Sequence, residues 1–418
     1  MFGLVLRIVF ISLHERPLFS DEKEYDQLAF HLASRASYSY DTTPTAYRPI
    51  GYPVFVGLTY ALFGRSITSV EMLQALIDTA IAFLIYLLLT GRPERLRVFG
   101  ATLWLLFAPA VFYSGLLLSE TLFTFLFVLI IWMLTRTDAR SNWWLMALGA
   151  LLGALTLIKP TVAVFVFILA FLAPQIKVPF RKFTPIVIAF ALVLTPWLIR
   201  NYLVFGEFAL TSNGGINLMI GNNAASTGAY KYAFDPLLFH DSKNEFDVDH
   251  KALRYAARYI VSNPGTSVLN AAKKTARLFE SEGALLVLTF HDAPEDATTS
   301  YGAKYASLPL LWILLANLSY FILVIGAIFG FLSTERDALW WLFLAALLSW
   351  ILIHAVFFGG GRFHFPLMPL IALYAAQFFL DPRSGYRSLS RFRKVVAYGA
   401  LTLFSSLWLI EAYVIFHA

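Results

Sequence analysis

LPLLWILLANLSYFILVIGAIFGFL, residues 308–332, carries no charged side chain over its whole length. A helix rising 1.5 Å per residue needs about 20 such residues to cross the roughly 30 Å hydrocarbon layer of a bilayer. Only a helix that bonds its own backbone internally is tolerated there. The run is one of a series. Apolar segments recur at 2–18, 66–90, 98–113, 117–134, 143–158, 161–173, 184–199, 338–358, 364–380 and 395–416. Hydrophobic residues make up 59% of the 418-residue chain and charged residues 14%, against roughly 25% charged in soluble domains. The reading is an all-α polytopic membrane protein of about eleven spans. The span at 161–173 is short and is expected to tilt against its neighbour. The first has no small-residue cleavage site after it and reads as a retained span, clipped at its start. Arg7 lies inside it and is expected to snorkel to the nearer headgroups.

The net charge of +6 does not indicate nucleic acid, because the cations sit in short connections between spans. Arg92, Arg95 and Arg97; Arg136 and Arg140; Lys177, Arg181 and Lys182; Arg336; and Arg383, Arg387, Arg391, Arg393 and Lys394 fall on alternate connections. The positive-inside rule turns that side to the cytoplasm, leaving the long segments 19–65 and 200–307 outside. Cysteine is absent, which removes disulfides from consideration. Three parts follow: a membrane module at 1–199 with its first outer loop, an extracytoplasmic loop domain at 200–307, and C-terminal spans at 308–418.

The outer segments have structure of their own. DEKEYDQLAFHLA (21–33) places Tyr25, Leu28, Ala29 and Leu32 on one helical face, as a helix lying in the interface would. The turn-rich SYSYDTTPTAYRP (37–49) leads into Gly51–Phe63, an apolar segment too short to span. In the second loop a Gly/Asn-rich stretch (212–228) precedes helix-like stretches at 251–260 and 271–280. A loop of this length with its own helices is expected to be functional or a folded cap.

Ionisable residues at the outer ends of spans are the candidates for chemistry. Asp21 heads the interfacial helix and suits a general base; as an alternative it is the N-cap, with Glu24 its capping-box partner. Glu22 beside it and Tyr47 beside Arg48 join the substrate-binding set. Arg48, held by Pro49, suits a lipid phosphate or an interfacial anchor. Glu120 at the outer end of the fourth span faces a wet cavity or caps its helix. Lys159 before Pro160, and Arg200 with Asn201 at the end of the seventh span, lie on the same side. Asn213, Asn217, Asn222 and Asn223 offer amides for sugar hydroxyls or phosphate, or serve turns. Gly359-Gly360-Gly361 permits close backbone approach before Arg362 and His364. Asp21, Arg48, Glu120, Lys159, Arg200 and Arg362 come from separate segments yet fall at one membrane face. Carboxylates and cations gathered in this way suggest chemistry on an anionic lipid.

The first-loop run DEKEYDQLAFHLA with YSYDTTPTAYRPIGYPVFVGLTYALFG (38–64), together with YSGLLLSETLF (113–123), PWLIRNYLVFGEFALTSNGGINLMIGNN (196–223) and GRFHFPLMPLIALYAA (361–376), resembles bacterial membrane glycosyltransferases of family 39. These belong to the GT-C superfamily, with the protein O-mannosyltransferases and the lipid A aminoarabinose transferase. The resemblance implies a GT-C-type bundle in the bacterial inner membrane. It implies a polyprenyl-phosphate-linked sugar as donor, transfer on the outer face, and a lipid, glycan or protein acceptor. Asp21 and Glu120 match the family's two acidic positions, and Arg48 and Lys159 its phosphate-holding cations. The chain departs from some relatives in lacking a large C-terminal soluble domain and in carrying Glu rather than Asp at 120. No cofactor is required by this reading, while a divalent metal at Asp21 and Glu120 stays open. The expected reaction is inverting transfer, with Asp21 acting on the acceptor and Arg48, Lys159 and Arg362 on the leaving phosphate. The rivals are a lipid-linked sugar flippase, for which internal repeats and midplane polar sites are wanting, an oligosaccharide polymerase or ligase, and a structural assembly subunit.

Overall fold

The computed structural model describes residues 1–136, 141–172, 183–231, 239–292 and 298–417. In chain order the helices are α1 (Phe2–Leu13), α2 (Asp21–Arg35), α3 (Gly51–Phe63), α4 (Ile67–Leu88), α5 (Glu94–Leu105), α6 (Ala108–Ser114), α7 (Glu120–Leu134), α8 (Asn142–Ile158), α9 (Val162–Leu172) and α10 (Phe183–Phe205). After them come α11 (Gly214–Gly221), α12 (Glu245–Ser262), α13 (Pro264–Leu278), α14 (Gly283–Phe290) and α15 (Tyr301–Ala306). The chain closes with α16 (Leu310–Ser333), α17 (Ala338–Val356), a 3₁₀ turn (Gly361–Leu367), α18 (Met368–Leu380), α19 (Pro382–Ser388) and α20 (Arg391–His417). The antiparallel pair β1 (Ser39–Tyr40) and β2 (Thr43–Pro44), with Ser39 opposite Pro44, forms the tip of the first loop.

A helix stands at each apolar segment read from the sequence. Among the described residues six are long and apolar enough to cross a bilayer, or up to seven if the pair α5–α6, bent by 54°, is one span. The segment expected at 98–113 is thus broken: α5 ends at Leu105, and Pro109 in the first turn of α6 cannot continue a helix through its missing N–H. The first segment stops at Leu13 rather than at 18, where the polar His14-Glu15-Arg16 and Pro17 intervene. Of the basic connections, Arg140, Lys177, Arg181 and Lys182 lie outside the described residues, as does the end of the 161–173 segment.

The core is built around α18. Met368 to Ala376 are all buried, and 72% of the span window at Gly361–Leu380 is buried, against 6% for α20 at the rim. Glycines on one helix let it meet the backbone of the next, a device the residue-by-residue reading passed over. A Cβ on Gly149 of α8 would stand 2.2 Å from the Ile186 carbonyl oxygen of α10, and one on Gly330 of α16 would stand 1.9 Å from that of Tyr374 of α18.

Arg7 does not snorkel. It is fully buried and paired with Asp78 of α4, and its Nη1 also donates to the carbonyls of Gly3 (2.9 Å) and Leu105 (3.2 Å). A partner carboxylate at the same depth makes the pair cheaper than drawing a lone cation to the headgroups.

Candidate functional site

The interfacial helix is present as α2, with Tyr25, Leu28 and Ala29 facing inward as the periodicity requires. Asp21 is its first helical residue and not its cap; the cap position is Ser20. The carboxylate instead receives two arginines. Arg48 Nη2 donates to Oδ1 at 2.8 Å and Arg362 Nη1 to Oδ2 at 2.9 Å. Burial works against ionisation of Asp21, but Arg362 and Arg48 outweigh it and hold the carboxyl down at about 2. Arg48 is itself anchored, its Nε donating to Glu24 Oε2 at 2.6 Å, while Tyr40 donates to the same oxygen at 2.7 Å. The guanidinium lies over the rings of Tyr25 (5.8 Å) and Tyr47 (5.4 Å).

Beside this triad, Glu120 opens α7 and accepts from Lys159 Nζ, the residue that ends α8, at 3.0 Å. Glu120 is nearly closed off (4% exposed) and Lys159 less so (23%). Arg362 and Asp21 are within electrostatic reach of Glu120, so the two ion pairs form one charged cluster. The cluster joins the first loop, the outer end of α7, the end of α8 and the 3₁₀ turn ahead of α18. The buried Tyr113 of α6, whose hydroxyl has no hydrogen-bond partner, lies in the field of Glu120, Glu282 and Arg362.

The other candidates are placed elsewhere and held by the architecture. Glu22 is fully buried; it takes both ends of the Arg16 guanidinium and the backbone N–H groups of Phe19 (3.1 Å) and Leu117 (2.9 Å), which ties α2 to the turn before α7. Arg200 donates to the carbonyls of Thr45 (2.7 Å) and Tyr38 (2.9 Å), fastening the first loop to α10. Asn201 closes the turn to Ala209 at 2.8 Å. Asn213 precedes α11 without a capping bond and Asn217 sits half-buried on it. Asn222 is engaged by Val356 O (2.9 Å) and by Lys274 Nζ (2.8 Å), a buried amine whose pKa burial lowers to about 8. Asn223 bonds the carbonyls of α11. His364 lies behind Arg362, with Nδ1 on Leu278 O and Nε2 on Glu282 Oε1, each at 3.0 Å, and its ring stacks on Tyr320. The close approach permitted by Gly359 is to α13, where a Cβ would stand 2.0 Å from Lys274 O.

A metal does not fit. Among the described residues no group of three or more His, Asp and Glu is arranged to hold one. Both oxygens of Asp21 are taken by Arg48 and Arg362 and Oε1 of Glu120 by Lys159, and a dication between the two acids would compete with those cations.

Reading the sequence missed Arg16, Asp78, Tyr113 and Glu282. Arg16 and Glu282 become visible only as partners of Glu22 and His364. Asp78 alone carried a signal, as a carboxylate well inside the apolar run 66–90.

Residues 47–199 match the family model of dolichyl-phosphate-mannose-protein mannosyltransferases, a stretch that contains Arg48, Glu120 and Lys159. A search of curated protein sequences finds no match. Among solved structures, the chain is similar to the oligosaccharyltransferase of Archaeoglobus fulgidus in its apo form (TM-score 0.50, 14% identity, covering 100% of this chain and 55% of that one). It is also similar to ArnT from Cupriavidus metallidurans bound to undecaprenyl phosphate (TM-score 0.45, 16% identity, covering 92% of this chain and 77% of that one). Identities this low speak to fold, and the fold is of the GT-C type. The family match covers residues 47–199 of the 418 and takes in Arg48, Glu120 and Lys159, but neither Asp21 nor Arg362.

Proposed function

We propose that the chain transfers a single sugar from a polyprenyl-phosphate carrier to a hydroxyl of a cell-envelope acceptor, at the extracytoplasmic face of the inner membrane and with inversion at the anomeric carbon. The observation that carries this reading is the bridging of Asp21 by Arg48 and Arg362 next to the Lys159–Glu120 pair. Cations gathered around one half-buried carboxylate suit a reaction whose leaving group is a phosphate and whose nucleophile needs a base. The family model supports the carrier, since its description names a dolichyl-phosphate sugar.

In the reaction the acceptor oxygen bonds to the anomeric carbon as the bond from that carbon to the phosphate oxygen breaks. The hydroxyl proton passes to Asp21, and the electron pair leaves with the polyprenyl phosphate, where Arg48, Arg362 and Lys159 meet the growing charge. Held at about 2 by its arginines, Asp21 is a weak base. The donor phosphate competes for the same guanidiniums. As they turn to it, burial dominates over the lost counter-charges and the carboxylate becomes more basic. The donor thus prepares the base that the acceptor uses.

The test is to incubate the purified protein with radiolabelled polyprenyl-phosphate sugars and membrane extract and to find which fraction gains label. Label must appear with the wild type and be lost with Asp21→Asn. Full transfer by that variant removes Asp21 from the chemistry, and label on no fraction with any donor removes the reading itself.

A further inference from the structure

The 3₁₀ turn Gly361–Leu367, which presents Arg362, has one other polar side chain, His364. Gly359, Gly360 and Gly361 lead into it, and glycine constrains its own backbone least of all residues. The Arg362 side chain is 35% exposed, and among the described residues its guanidinium hydrogen-bonds to Asp21 alone. A long side chain so lightly held is aimed by the backbone beneath it. What fixes the turn therefore decides where the guanidinium stands.

Trp350 of α17 holds the turn on one side, its Nε1 donating to Phe363 O at 2.9 Å. His364 holds it on the other. Its side chain and that of Glu282 are each 1% exposed. Nδ1 faces the Leu278 carbonyl and Nε2 the Glu282 carboxylate, each at 3.0 Å. A carbonyl only accepts, so Nδ1 carries a hydrogen. A second proton lies between Nε2 and Oε1, because without it two lone pairs would face each other at hydrogen-bond distance. The Tyr320 ring stacks on the imidazole with centroids 4.4 Å apart. Beyond the pair, the corner between α13 and α14 is itself gripped by α16 and α20. Glu282 N donates to Asn317 Oδ1 (2.9 Å), Ser281 N to Glu411 Oε2 (2.8 Å), and Trp408 Nε1 to Phe279 O (3.0 Å). The turn lies so near this corner that a Cβ on Gly361 would stand 2.6 Å from Ser281 O.

We propose that His364 and Glu282 are a positioning pair for transfer, clamping the turn to the α13–α14 corner so that Arg362 meets the donor phosphate. The inference rests on the transfer reading above. Neither residue touches substrate; the pair acts through Arg362, and the large second loop supplies the site with a foundation.

Removing His364 alone would strand a buried carboxylate and endanger folding. The clamp is therefore removed in His364→Phe/Glu282→Met, which keeps a ring against Tyr320 and leaves no charge behind. Glu282→Gln preserves it, because a neutral imidazole still donates from Nδ1 while Nε2 accepts from the new amide. Donor KM, acceptor KM and undecaprenyl phosphate affinity, the last by native mass spectrometry, are compared with wild type at equal folded content. In the double variant donor KM should rise and carrier affinity fall about tenfold, the worth of one hydrogen bond to a charged group. Acceptor KM should not change, and Glu282→Gln should match wild type throughout. Wild-type donor KM and carrier affinity in the double variant overturn the proposal. So does an equal rise in both KM values, or a Glu282→Gln no better than the double variant. A wild type that transfers no sugar, with the expected pattern of carrier affinity across the variants, removes the transfer reading and leaves the clamp. A wild type that binds no carrier removes both.

Discussion

Arg362 and Asp21 stand 341 positions apart in the chain and 2.9 Å apart in the fold. The contact ties the turn that opens the most buried helix to the first turn of the interfacial helix, and Arg48 completes it from the first loop. A carboxylate bridged in this way is fixed in place and fully charged at any working pH. Asp21→Asn is expected to cut transfer by at least about a hundredfold, the scale on which a positioned acid–base group contributes. Initial rates with a defined donor and acceptor are the readout.

The same pair sets an acid limit on stability. The folded pKa of Asp21 is depressed to about 2 from 3.8. Its contribution is complete above pH 4 and is lost as the pH falls towards 2. That contribution is on the order of 2 kcal/mol. Thermal unfolding in detergent across pH 2 to 6 should show wild type losing stability over that window, and Asp21→Asn should lack this part of the slope.

Arg48 serves two acids at once, through Nε to Glu24 and Nη2 to Asp21. A lysine has one compact ammonium and cannot span both. Arg48→Lys is therefore expected to raise the donor KM by about tenfold or more, with a smaller effect on the acceptor KM. Equal effects on both substrates would place the phosphate elsewhere.

These contacts also show what a single sequence can convey. The helices were legible because hydrophobic periodicity and run length are local properties, and Asp21 stood out because it opens an amphipathic helix. Its two readings, base or cap, could not be separated until Arg48 and Arg362 were seen to occupy its oxygens. Glu22, Arg200, Asn201 and His364 have the same residue types and the same sidedness as the clustered residues. Only their partners, the distant Leu117, Thr45 and Glu282 and the local Ala209, show that they hold loops in place. Arg7 was misread for the same reason, since the acid that makes its burial tolerable lies on another helix.

Tyr113 separates folding from function. Its hydroxyl is buried beside the charged cluster with no partner, and a group in that condition costs about 1–3 kcal/mol. Tyr113→Phe should leave the melting temperature unchanged or raise it. Transfer should fall if the substrate supplies the missing partner, and we expect a fall of about tenfold, one hydrogen bond's worth. Differential scanning fluorimetry and initial rates on one preparation check both statements.

Arg7 and Asp78 make a pair whose two halves are worth little apart. Both are completely buried, and the Trp104 indole donates to the Asp78 backbone carbonyl at 3.0 Å, packing α5 against the same level of α4. Removing the arginine alone leaves a charge in an apolar interior, at a cost of about 3–5 kcal/mol. Removing both, with leucines of suitable volume, eliminates the desolvation burden together with the attraction, and such replacements come out near neutral. Arg7→Leu should therefore unfold well below wild type in the same detergent. The double variant Arg7→Leu/Asp78→Leu should recover most of the difference, because the second substitution removes what the first left unpaired. Transfer activity should follow folded content in all of them, since the pair lies apart from the charged cluster at Asp21. A double variant no more stable than the single would show that Arg7 acts through Gly3 and Leu105 rather than through Asp78.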